Sequence, residues 1–197
     1  MPCEKELAIY QGVLRLLESG ADIYALKASD IAAAAGIGKG TLYNYFSSKE
    51  EIILSTIRYT MEEHLRRLRE AMDQKPDFSG KLHCALDYEV SHHSHHFQTL
   101  FLLSYFGAKG LPSELEKAGE FFPALQKETA ALILQIAALG QQEGILGYYS
   151  QDEIIMAFTG VFSALSLRLC NQSLQMQEPS GKMIDSHYRM LVRSLAP

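Results

Sequence analysis

Cysteine is scarce in this chain of 197 residues, and what there is does not pair. Cys3, Cys84 and Cys170 are odd in number, widely spaced and in no metal-ligand arrangement. A disulfide framework and a cysteine-built zinc module are therefore not expected, and the thiols read as reduced ones in a cytoplasmic protein. Long hydrophobic runs are missing too. With no stretch of about 18 uncharged apolar residues, no membrane-spanning helix is expected. The opening MPCEKELAIY carries three charges and lacks the apolar core of a secretory signal. Internal repeats and useful strand alternation are absent, which leaves helices. A glycine-rich phosphate loop, a nucleophile elbow and a paired-carboxylate constellation are absent as well, so an enzyme is not expected. Positive charge is in short supply, with 18 Lys and Arg against 23 Asp and Glu. Taken as a whole, that balance opposes nucleic-acid binding.

Its distribution says otherwise. Residues 1–75 hold 10 basic and 11 acidic groups, residues 76–197 hold 8 and 12, and from Lys27 to Lys49 three lysines face one acid, Asp30. Screening over about 8 Å at physiological ionic strength separates that local excess from the acidic remainder. The stretch Lys27 to Glu51, KASDIAAAAGIGKGTLYNYFSSKEE, reads as a small helix, a glycine turn, a second small helix and the start of a third. Ile31, Ala34 and Ala35 share one apolar face at helical spacing. Gly36 suits the left-handed residue that ends a helix, Ile37 is the buried residue of the turn, and Gly38 is a passable N-cap. A helix from Lys39 to Phe46 would turn Leu42 and Phe46 inward. Lys39, Thr41, Tyr43, Asn44 and Tyr45 then lie on its other sides, a set of donors, acceptors and flat rings suited to phosphates and base edges. The bland alternative is an ordinary solvated patch, against which the interleaved aromatics speak.

The run Ile31-Ala32, Ala35-Gly36-Ile37, Lys39-Gly40-Thr41-Leu42-Tyr43, Tyr45-Phe46 and Lys49-Glu50 resembles the signature of the TetR family of bacterial transcriptional regulators. Two positions depart from it. Lys27 stands where the family often has Ser or Thr, and Gly38 where it often has Ser. The resemblance implies an all-α chain with an N-terminal three-helix helix-turn-helix DNA-binding domain, residues 1–48. A helical ligand-binding and dimerisation domain would follow over 49–197, with helix 49–72 connecting the two. It implies DNA contacts from Lys27, Ser29, Lys39, Gly40, Thr41, Tyr43, Asn44, Tyr45 and Lys49. The implied partners are a double-stranded palindromic operator, a second copy of the chain and a small-molecule inducer. No cofactor or resident metal is implied.

The remaining helices are read from periodicity. Helix one, about Glu4 to Ser19, buries Leu7, Tyr10, Val13, Leu14 and Leu17 and is stopped by Gly20. Ser48 with Glu51 fits a capping box opening the long helix to about Met72. Pro76, Ser79 and Gly80 mark a boundary, with helices at about 80–91 and 94–106. Another runs from near Pro123 to Gln142 with Leu125, Leu132, Ile136 and Leu139 along one stripe. Ser150 to Glu153 is a second capping box, opening a helix to about Leu174. Residues 178–181 read as a linker before a last helix from Lys182. In the helix after Asp152, residues Ile154, Phe158, Val161, Phe162, Leu165 and Leu169 form a broad apolar face, widened by Ile155, Ala157, Gly160 and Ala164. The family likeness places a dimer seam on these last two helices, with Ile155, Gly160, Ala164, Ile184, Leu191 and Leu195 as its residues; the alternative is plain monomer core.

The middle region is rich in aromatics, and the likeness implies an apolar or aromatic ligand there. The candidate lining is Met61, His64, Leu68, Tyr88, His92, Phe101, Tyr105, Phe122, Phe158 and Phe162. His92 to His96, near His83, Cys84 and Glu89, permits a metal-sensing alternative, since His92 and His96 stand four apart. Against it, Ser94 suggests a helix boundary that breaks the register. A helical protein-protein interaction module is the other rival reading.

Overall fold

A computed structural model describes residues 2–23, 25–92, 121–170 and 180–197. Among them every regular element is a helix: α1 Glu4–Glu18, α2 Ala28–Ala34, α3 Lys39–Leu42, α4 Lys49–Asp73, α5 Phe78–Ser91, α6 Phe121–Gln142, α7 Gln151–Cys170 and α8 Ser180–Ser194. The fold is all-α, as the missing strand alternation required. The chain divides into two compact units, and the division runs through α4, between Glu63 and His64. The first half of α4 goes with the N-terminal residues because Ile52 is buried among them and Tyr59 packs against them.

The first unit closes on Ile9, Tyr10, Val13, Leu17, Leu26, Ile31, Ala32, Leu42, Phe46 and Ile52. This differs in part from the periodicity reading. Ile9 and Gly12 are buried on α1, whereas Leu7 and Leu14 are only half-buried. The inward stripe is set by the crossing with α2, which needs the small Gly12 at the contact. Gly20 (φ 90°) takes the left-handed conformation just after α1.

The second unit is built from the distal part of α4, with α5 packed on α8 and α8 on α7. Its core holds Met72, Phe78, Leu82, Leu86, Ile136, Ile154, Phe158, Val161, Leu165, Ile184, Leu191 and Leu195. Gly140 is required here, since a Cβ on it would sit 2.8 Å from the Phe78 ring and 3.0 Å from Leu146. Leu125 lies outside this core, half-buried.

Two helix starts fall earlier than composition suggests. α5 begins at Phe78 because Asp77 caps it, its carboxylate accepting the Gly80 N–H at 2.7 Å. Glu143 reaches across from beyond α6 to accept the Phe78 N–H at 3.1 Å. α8 begins at Ser180, so Ser180 and Gly181 are helical rather than linker. Residues 94–106 and Leu174, named in the helix reading, lie outside the described residues, as do Phe101 and Tyr105.

Candidate nucleic-acid interface

The helix-turn-helix is assembled by backbone geometry before any side chain reaches outward. α2 ends in a Schellman motif: the Gly36 N–H bonds to the Ala33 carbonyl (3.1 Å) and the Ile37 N–H to the Ala32 carbonyl (3.0 Å). Gly36 has φ 68°, where any other residue would be strained. Ile37 is half-buried and packs on the core of the first unit. From the opposite side α1 clamps the same turn. A Cβ on Gly12 would lie 2.9 Å from the Ala35 nitrogen, and Arg15 Nη2 donates to the Ala34 carbonyl at 2.5 Å. A guanidinium at a helix C-terminus also meets its negative partial charge. Periodicity gave no sign of Arg15, because its partner lies 19 residues away on another helix.

α3 is shorter than the sequence suggests. Regular helix covers Lys39–Leu42, capped by Gly38 without a side-chain bond. The chain then tightens, with Asn44 N–H to Thr41 O (3.1 Å) and Tyr45 N–H to Leu42 O (3.1 Å), before Phe46 N–H returns to Leu42 O (3.2 Å). Leu42 and Phe46 are buried, which holds this segment onto the core. Outward lie Lys39, Gly40, Asn44 and, more sparingly, Thr41. Tyr43 is 45% and Tyr45 39% exposed.

The flanking contacts are less free. Ser29, exposed, donates its hydroxyl to Asp30 at 3.2 Å, and Lys27 is exposed at the N-cap of α2. Lys49, half-buried at the start of α4, is 3.7 Å from the Glu50 carboxylate. The capping box opening α4 is offset from the expected one. Ser48 Oγ accepts the Glu51 N–H at 3.0 Å, while the Glu51 carboxylate reaches past Ser48 to the N–H and hydroxyl of Ser47, each at 2.6 Å. The Ser47 hydroxyl and N–H hold the Glu51 carboxyl below its ordinary pKa.

In the second unit, His64 Nε2 lies 2.9 Å from the Glu89 carboxylate, with both side chains largely covered. Tyr88 meets the His64 ring edge-on at 5.1 Å and stacks on His92 at 4.1 Å. Leu68 packs on the core beside them and Phe162 is partly buried there. Phe158 is 2% exposed inside that core. Met61 and Phe122, in the first unit, are buried. α5 ends at Ser91 with His92 as its C-cap, and His93 to His96, the rest of the histidine cluster, lie outside the described residues. Among the described residues no group of three or more His, Cys, Asp or Glu is placed to hold a metal ion.

Of the residues expected at a dimer seam, Ile184, Leu191 and Leu195 are 8%, 0% and 2% exposed within a single chain, packed where α8 meets α5 and α7. Ile155 and Ala164 are half-buried and Gly160 is exposed. The apolar groups α7 and α8 leave in water are Met156, Leu167 and Met190, at 69%, 56% and 52% exposure.

Residues 19–56 match the family described as bacterial regulatory proteins, tetR family. Over 54 residues the chain is 37% identical to the fatty acid metabolism regulator protein of Bacillus subtilis strain 168, a match that covers 27% of this chain and spans 28% of that protein. The whole fold is similar to the fatty acid degradation regulator FadR from Bacillus halodurans (TM-score 0.72, 19% identity, 98% of this chain and 96% of that one). It is also similar to the transcriptional regulator FadR from Bacillus subtilis in complex with stearoyl-CoA (TM-score 0.71, 18% identity, 96% and 98%).

Proposed function

We propose that this chain, whose residues 19–56 match the tetR family of bacterial regulatory proteins, is a ligand-responsive transcriptional regulator. It binds a palindromic operator as a homodimer and is released by a small molecule. The observation that carries this reading is the segment Lys39 to Tyr45. Its polar and aromatic side chains face water while Leu42 and Phe46 fix it to the core. Such a segment enters the major groove, where Thr41, Tyr43 and Asn44 meet base edges and methyl groups. Lys27, Lys39, Lys49 and Tyr45 hold the flanking phosphates. One short segment binds weakly. Two, related by a two-fold axis, double the phosphate contacts and fix half-sites about 34–36 Å apart or a multiple of that.

The proposed inducer is a long-chain fatty-acyl thioester. Its support is that similar proteins from Bacillus are named regulators of fatty acid metabolism or degradation, and that FadR from Bacillus subtilis was solved with stearoyl-CoA. Within the second unit it would lie against Leu68 and Phe162, with the His64–Glu89 pair and the Tyr88–His92 stack as polar neighbours. α4 contributes residues to both units, so a ligand that prefers one position of α4 and an operator that prefers another compete through it. That coupling is reciprocal by thermodynamic necessity. Selection from a random duplex pool followed by titration of stearoyl-CoA tests both halves. An enriched inverted repeat, released by the thioester but not by free coenzyme A, is expected. A pool with no enriched repeat would overturn the reading.

A further inference from the structure

Helix α4 is not uniformly stiff in the stretch that belongs to the first unit. Thr56, fully buried, donates its hydroxyl to the Ile52 carbonyl at 2.8 Å, and Thr60 donates to the Thr56 carbonyl at 2.8 Å. Each of those carbonyls also serves the helix ladder. Sharing it with a side chain one turn on weakens the ladder and favours bending. Two such bonds in succession make 52–60 the segment where α4 gives first.

Tyr10 docks on this segment. Its ring, 6% exposed, stacks on Tyr59 with centroids 5.2 Å apart and planes 27° from parallel. On its other side it meets Phe46 at 6.0 Å, tilted 57°. Burial and then nearby Glu6 raise the phenol's pKa above its ordinary value, and its contact with the Ser55 side chain pulls the other way. Ser55 and Tyr59 are one turn apart on the same face of α4. Phe46 closes the proposed DNA-reading segment.

A leucine at position 10 would fill the same space, but apolar contact is non-directional and tolerates sliding. A stacked ring with a polar tip is directional in two ways. Ring pairs prefer defined offsets, and hydrogen-bonding contacts weaken steeply with misalignment. A slip of α4 by one residue, about 1.5 Å, or a bend at Thr56, cannot leave both contacts in place.

From this placement we infer that Tyr10 is a positioning residue that couples the bend-prone stretch of α4 to the end of the DNA-reading segment. The inference rests on the proposed regulator role for its purpose, but not for its test. Hydrogen exchange on the unliganded protein decides the coupling directly. In Tyr10→Phe and in Ser55→Ala, the amides of Leu42 to Phe46 and of Ile52 to Tyr59 should lose protection together, about 5-fold, while Ile31 to Ala35 keep theirs. The double variant should match the singles, since all three remove one contact. Uniform loss across the unit, or no loss, would overturn the inference, because simple packing gives the former and an idle hydroxyl the latter. On a selected inverted repeat, stearoyl-CoA should weaken wild-type binding, and Tyr10→Leu should blunt that response at least 5-fold. If wild type binds no duplex or ignores the thioester, the regulator reading fails while the exchange result still stands or falls alone.

Discussion

Individual side chains in the reading segment divide by what they can recognise. Lys49 offers a point charge, already 3.7 Å from Glu50, so the duplex contact proposed for it is to phosphate and carries no sequence information. Lys49→Ala should weaken all duplexes alike and lower the slope of log affinity against log salt by about one, measured by titration at several salt concentrations. Tyr43 behaves differently. Its ring is 45% exposed on the reading face, and Tyr43→Ala should lose about 1–3 kcal/mol on the selected repeat and much less on random duplex. A gel shift in which both variants bind as wild type would remove these assignments. Two glycines nearby make a further contrast. Gly36 sits at φ 68° with open space around its Cα, so Gly36→Ala meets only backbone strain, about 1–2 kcal/mol. Gly36→Asn should recover part of that loss. At Gly12 the obstacle is the Ala35 backbone at 2.9 Å. Gly12→Ala must therefore shift α1, and it should lower DNA affinity as well as thermal midpoint.

Helices show where sequence was legible and where it was not. The Ser150 box closes as its spacing promised: Glu153 Oε2 accepts from the Ser150 N–H at 2.8 Å, and the Glu153 N–H returns to Ser150 Oγ at 3.3 Å. The turn at Gly36 was equally plain, because one residue type fits that backbone. What sequence could not carry is any feature set by a distant partner. α1 turns Ile9 and Gly12 inward because α2 crosses there. α5 starts at Phe78 because Asp77 and Glu143, 65 residues beyond Phe78, satisfy its first N–H groups. α3 stops at Leu42 because Phe46 must reach the core. Asp77→Ala should accordingly cost about 1 kcal/mol in denaturant unfolding. The cap on α4 also predicts a pH effect. Glu51 has its folded-state pKa below the ordinary 4.5 through the Ser47 bonds. Its stabilisation is therefore present above the unfolded pKa and lost as pH falls through the folded one. Glu51 is mostly exposed, so the effect is small and salt-screened. At pH 7, Glu51→Gln should melt about 1–2 °C below wild type, and the gap should close as acidification carries the carboxyl through its lowered folded-state pKa.

At the scale of the whole molecule the tension is between net charge and function. A chain with formal charge −5 approaches a polyanion, and the lysines near one reading segment give only a few phosphate contacts. In the proposed homodimer, doubling them by symmetry would multiply the binding constants of the two halves. The proposed seam then has to come from what one chain leaves uncovered. Ile184, Leu191 and Leu195 are spent on the chain's own core. Met156, Gly160 and Leu167 recur every few residues on α7, and Met190 is exposed on α8. Gly160, where a Cβ would meet nothing within 4 Å, lets a second helix come close at that point. Covering each large side chain is worth about 1.5–3 kcal/mol. Leu167→Glu should therefore leave helicity and melting of the single chain nearly intact. Light scattering should report 22.0 kDa where wild type gives twice that, and affinity for the inverted repeat should fall by orders of magnitude while half-site binding persists. Leu191→Glu should instead unfold the second unit, because it buries a charge at a position with 0% exposure. If Leu167→Glu stays dimeric and Leu191→Glu stays folded, the seam lies elsewhere and the division of α7 and α8 between core and partner is wrong.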